Sequence, residues 1–188
     1  DTIAGIESSD SITFDAHKWL SVPMGAGLYL TRHRDILDRT FRVQTAYMPQ
    51  DAAALDIVDP HLHSMQWSRR FIGLKVFLSL LIAGWDGYAA VIRHQTAMGD
   101  YLRKRLGEEG WEITNDTPLP LVCFVNPGDP PERLRQIANH VVASGRAWCS
   151  PTVTNGRTVI RACITHYETR EEDVETLISA LADARGTG

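Results

Sequence analysis

The feature that most limits what this chain can fold into is an apolar run at residues 71–84, broken by Lys75 and Ser79. A bilayer-spanning helix needs roughly 20 such residues, so the run is too short to cross a membrane. It reads instead as a buried helix opened by Ser68 and Arg69 and closed by Gly84, a residue type that stops helices just past the last turn. Composition agrees with a globular chain: 44% of the 188 residues are hydrophobic and 22% charged. The net charge of −4 is mild, and no basic tract is present to neutralise phosphates, so nucleic acid is not an expected partner. Cys123, Cys149 and Cys163 lack metal-ligand spacing and read as reduced, buried thiols, which suits a cytoplasmic compartment.

Upstream of that run, residues 11–14 alternate like a strand and lead into a short polar cluster. Residues 25–30 read as a second, Gly-rich strand, and 32–41 as a short amphipathic helix. Periodicity then fails until about residue 60, where Pro49, Asp51, Asp56, Asp59 and Pro60 mark a long loop; such loops are usually functional. Asp86 caps a second helix, with Tyr88, Ile92, Met98, Leu102 and Leu106 at helical spacing. After Gly110 the pattern is that of a smaller α/β unit. Leu119 opens an apolar strand, and Asp129 with Glu132 forms a capping box for a helix burying Leu134, Ile137, Ala138, Val141 and Val142. Asn155-Gly156 between two strand-like runs is a hairpin signal. Thr169 and Glu172 cap a last helix burying Val174, Leu177, Ile178 and Leu181.

Chemistry concentrates in Thr13-Phe14-Asp15-Ala16-His17-Lys18-Trp19-Leu20. Burying an unpartnered ammonium is costly, so Lys18 either snorkels to water or is chemically used. A desolvated lysine, with its pKa depressed, is what an imine-forming nucleophile requires. His61 and His63 stand two apart, but no Cys, Asp or Glu partner has convincing spacing for a metal.

The strand, Asp-x-His-Lys-Trp, the Gly-rich strand and the later Ser-Arg-Arg-Phe together resemble the group II pyridoxal-dependent decarboxylases, the family of aromatic-amino-acid and glutamate decarboxylases. The resemblance covers nearly the whole chain. It implies an α/β fold in which residues 1–106 end the large domain of a pyridoxal phosphate (PLP)-dependent transferase fold. Residues 107–188 would form the small C-terminal α/β domain. Lys18 would hold pyridoxal 5'-phosphate as a Schiff base, His17 would contact its phosphate, and Asp15 would support them. Tyr47, in an Arg-x-x-x-x-Tyr arrangement starting at Arg42, would return a proton to carbon after CO2 leaves. Ser68 would reach the cofactor phosphate of a neighbouring subunit in a homodimer, and Arg161 would be structural. The implied reaction is decarboxylation of an L-amino acid, aromatic by preference, with acidic and diamino acids still open.

Pro23-Met24-Gly25-Ala26 and His166-Tyr167 depart from the family's frequent residues, the first near the pocket wall. Family members also use an acidic partner for the pyridine nitrogen and a His stacked on the ring, both upstream of Asp1. An upstream segment is therefore expected to be required, the chain being a fragment, a processed piece or half of a split protein, and inactive alone. The rival readings are an aldehyde synthase or another lyase of the same fold, and a non-catalytic dimerisation module.

Overall fold

The computed structural model describes residues 3–43, 47 and 59–186, which divide into two compact units, Asp1–Ile82 and Ala83–Gly188. In the first unit, β1 (Ser11–Asp15) and β2 (Gly27–Thr31) pair antiparallel, with Asp15 opposite Gly27 at the closed end. The connection between them, residues 16–26, carries the His-Lys-Trp cluster. Its small core is Ala16, Val22 and Ala26, with Leu20, Leu28 and Val76 packed around it. A short helix, α1 (Ile36–Phe41), follows. It begins four residues later than the pattern suggests. Thr31 and His33 bond back to Asp10, which holds the chain ahead of it out of a helix.

The long helix α2 (Ile72–Glu108) runs through the boundary between the units, but Gly84 at φ 62°, ψ −178° is not helical and splits it. Two expectations are corrected here. The helix opens at Ile72, not at Ser68, because residues 64–70 bond locally: Ser64 Oγ donates to the Gln66 carbonyl and Arg69 to Ser64 Oγ. Such side-chain bonds compete with a helical ladder. Nor is the apolar run buried in this chain: Phe77 is 59% exposed, Leu81 66% and Ile82 85%. By length and composition α2 passes as a helix able to cross a membrane. Residues 72–83 ahead of the break, however, span only about 18 Å, against a hydrocarbon core of about 30 Å.

The second unit holds the main core. Four antiparallel strands, β3 (Glu112–Ile113), β4 (Leu121–Val125), β5 (Ser150–Thr154) and β6 (Arg157–Cys163), lie in the order β3-β4-β6-β5. Strand register puts Val122 opposite Ala162 and Phe124 opposite Ile160. These four are almost fully hidden and share one face, since side chains alternate along a strand. The hairpin forms as expected, with Asn155 at φ 50° and Gly156 at φ 75°, the left-handed pair that a two-residue turn requires.

Helices α3 (Pro131–Ala143) and α4 (Glu171–Gly186) pack against each other, and α3 also packs on β5 and β6. The second half of α2 contributes Gln95, Gly99, Leu102 and Leu106, a stripe at helical spacing. Neither capping box forms as written. Asp129 accepts from Asn126 Nδ2 at 2.8 Å, leaving Pro130 as the α3 cap. Asp173, not Glu172, reaches back to the Arg170 N–H at 2.8 Å, while the Thr169 carbonyl accepts from His94. Val142 is 41% exposed, so α3 buries one residue fewer than the pattern suggests.

Candidate active site

Alternation ends at Asp15 because the chain must turn there, and the turn is closed by its own backbone. The Lys18 N–H donates to the Asp15 carbonyl at 3.1 Å, Ser21 N–H to Lys18 and Val22 N–H to Ala16. With Ala16 and Val22 buried, the intervening Lys18 is thrust outward. Its side chain is 68% exposed and its Nζ lies 2.7 Å from Asp15 Oδ2. That hydrogen bond from Lys18 holds the Asp15 carboxyl below its ordinary value, against a smaller opposing effect of burial.

The described residues do not by themselves supply the dry surroundings expected of this amine. A two-stranded hairpin has no second layer to lay over its own turn, so the described residues leave Lys18 in water.

His17 is better held. Its Nδ1 lies 3.0 Å from the Ala26 carbonyl oxygen and 3.2 Å from the Ala26 N–H, and its own backbone N–H donates to that same carbonyl at 3.3 Å. The ring therefore faces the backbone just ahead of β2. Whether Nδ1 donates to the oxygen or accepts from the nitrogen follows the tautomer. Asp15, His17 and Lys18 are thus brought together by one turn.

The other expected residues are not brought to it. Tyr47 is 75% exposed, and no hydrogen bond joins it to Lys18 among the described residues; its neighbours 44–46 and 48–58 lie outside them. Ser68 is exposed and precedes α2 by four residues, so its placement at a helix N-terminus is withdrawn. Arg69 donates to Ser64 Oγ at 3.1 Å. His61 pairs with Asp59 at 2.6 Å, lowering the Asp59 carboxyl, and its ring lies 5.8 Å from that of Trp67. Arg161 Nε donates to Cys163 Sγ at 3.1 Å. The thiols are free, and burial pushes that of Cys149 up to about 11.

One contact was not read from the sequence. Lys75 Nζ donates to the Met24 carbonyl at 2.5 Å, in the connection that carries Lys18. The available signal was its position, a lone cation inside the apolar run.

Similarity to known proteins bears on the same segment. A family model for the pyridoxal-dependent decarboxylase conserved domain matches residues 1–126. An aromatic-L-amino-acid decarboxylase of Bacillus atrophaeus is 28% identical over 96% of this chain and 40% of its own length. A 3,4-dihydroxyphenylacetaldehyde synthase of Aedes aegypti is 24% identical over 91% of this chain and 33% of its own. Among solved structures, Oryza sativa TDC with PLP and tryptamine superposes with a TM-score of 0.85 at 24% identity. That match covers 98% of this chain and 40% of the other, and shows a shared fold. The chain spans 40% or less of the length of these relatives. With the matched model covering well over half of its residues, the chain belongs to the pyridoxal-dependent decarboxylase family.

Proposed function

We propose that the protein carrying this chain removes CO2 from an L-amino acid, aromatic by preference. Lys18 holds pyridoxal phosphate and Tyr47 returns the proton to the carbon that lost its carboxylate. The observation that supports this most is the exposed primary amine of Lys18, on a turn pinned by its own backbone, inside the segment matched by the family model.

The residues present fit the cofactor. A primary amine stands accessible at a strand end, beside a carboxylate that can give it up and a histidine already fixed in place. Lys18 would take the aldehyde carbon, and His17, with Ser68 of a second subunit, the phosphate. When bound, the cofactor supplies a carbonyl for the amine and a ring that accepts electrons. The chain's own residues do the rest. Lys18 exchanges Asp15 for the cofactor, His17 fixes the phosphate end, and the Tyr47 hydroxyl delivers a proton. Exclusion of water from Lys18 falls to a second subunit and to the part of the relatives' length that this chain does not span. On the same ground we propose that these 188 residues are inactive alone, a homodimer of the complete protein being the working form.

Residues 1–106 would then close the cofactor-binding domain and 107–188 form the small domain. Three free thiols favour a cytoplasmic home. The test is chemical: reduce the complete, cofactor-loaded protein with borohydride, digest it and weigh the peptides. Cofactor mass on the Lys18 peptide is expected, with amine production abolished in Lys18→Ala. A Lys18→Ala protein with normal turnover would overturn the reading.

The similarity to an aldehyde synthase supports a second reading, oxidative deamination on the same site. Assaying aldehyde and peroxide beside amine separates the two, and amine without peroxide is the expected result.

A further inference from the structure

We infer that Lys75 is a positioning residue for the cofactor lysine, tying the first turn of α2 to the connection that carries Lys18; this rests on the reading of Lys18 above. Lys75 is a lone cation in a run of apolar residues, and its ammonium donates to the Met24 carbonyl at 2.5 Å across 51 residues of sequence. The next residue, Gly25, has φ +84°, and a side chain built there would come within 3.8 Å of Lys75 Nζ. The ammonium therefore lies directly against this left-handed turn.

One residue further on, Ala26 receives the His17 backbone N–H and faces the His17 ring. Beside Lys75 on the helix, Val76 packs against Ala16, Val22 and Ala26. Contacts thus run from Lys75 through Met24, Gly25 and Ala26 to His17, and so to Lys18. A methionine at 75 would keep the length and apolar stem and lose only the charge-assisted bond. The turn would then be free to move, and with it the ring and amine that meet the cofactor.

The experiment uses the full-length protein with Lys75→Met, Lys75→Arg and, as a control on the later part of the same helix, Lys104→Met. Among the described residues Lys104 has a single long pairing, 3.8 Å to Glu108. Pyridoxal phosphate is titrated against its visible absorbance band, borohydride fixation at Lys18 is quantified, and thermal midpoints are taken without cofactor. Lys75→Met is expected to raise half-saturation about tenfold, the scale of one hydrogen bond from a charged donor, at an unchanged midpoint. Lys75→Arg should recover most of it, and Lys104→Met should match wild type.

Wild-type half-saturation in Lys75→Met overturns the inference. So does a loss that tracks a lowered midpoint and is not recovered by Lys75→Arg, which would make Lys75 a stabilising residue only. If the wild-type protein itself fixes no cofactor on Lys18, the underlying reading fails instead, and the two failures are told apart.

Discussion

Lys18 and Asp15 illustrate what a short sequence separation can do. Three residues apart across a tight turn, they meet at 2.7 Å without any help from the rest of the fold. Tyr47 is 75% exposed, and its proposed role needs groups from outside its own stretch of sequence. Its expected role gives a clean substitution: Tyr47→Phe removes the proton donor and nothing else. In the complete protein, amine formation should fall by about 10²-fold or more, the usual worth of a positioned acid, while cofactor fixation at Lys18 persists. Parallel assays of amine, aldehyde and borohydride-fixed cofactor check this; undiminished amine would remove Tyr47 from the mechanism.

At the scale of elements, two contacts of α2 decide how the second unit holds together. Gly99 lies so close to the β4 approach that an added Cβ would meet Pro120 Cα at 2.8 Å, and backbone cannot swing aside as a side chain can. Gly99→Ala is therefore expected to destabilise that unit by about 1–3 kcal/mol, read as a lower denaturant midpoint, although alanine is the better helix former. Nearby, Arg103 donates to the carbonyls of Thr117, Leu119 and Leu121, pinning the same approach.

The second contact joins α2 to α4: Glu175 accepts from Arg105 Nε at 2.7 Å and from the Tyr101 hydroxyl at 2.7 Å. The Arg105 hydrogen bond, then that of Tyr101, lowers the Glu175 carboxyl and outweighs desolvation. A carboxyl depressed in the folded state stabilises at pH above its unfolded value, and that contribution is lost as pH falls through the folded one. Thermal midpoints should therefore drop on acidification below the ordinary glutamate range, and Glu175→Gln should flatten that part of the curve. An identical pH profile for Glu175→Gln would dismiss the link.

At the scale of the whole chain the telling feature is an apolar helix that the described residues do not cover. Leu74, Phe77, Leu81, Ile82 and Trp85 of α2 are each more than two-fifths exposed, well beyond the scattered apolar residues normal on a surface. If the proposed homodimer forms through this helix, Phe77→Asp with Ile82→Asp in the complete protein shifts the mass by light scattering from dimer to monomer, with helix content retained. A dimer that survives both changes would place the interface elsewhere.

Local structure was legible in the sequence. The Asn155-Gly156 hairpin needs two left-handed residues, α4 follows its apolar period, and the Asp-x-His-Lys-Trp cluster falls on a turn because a strand stops there. These features depend on neighbours a few residues away, so the order of residues suffices to determine them.

Other features depended on partners far along the chain. The bond from Lys75 to Met24 and the exposure of both Lys18 and α2 depend on which surfaces meet. Hydrophobic period marks a face that must be covered but carries no record of what covers it. A side chain's water exposure is a property of the layers stacked over it, which only the tertiary structure supplies.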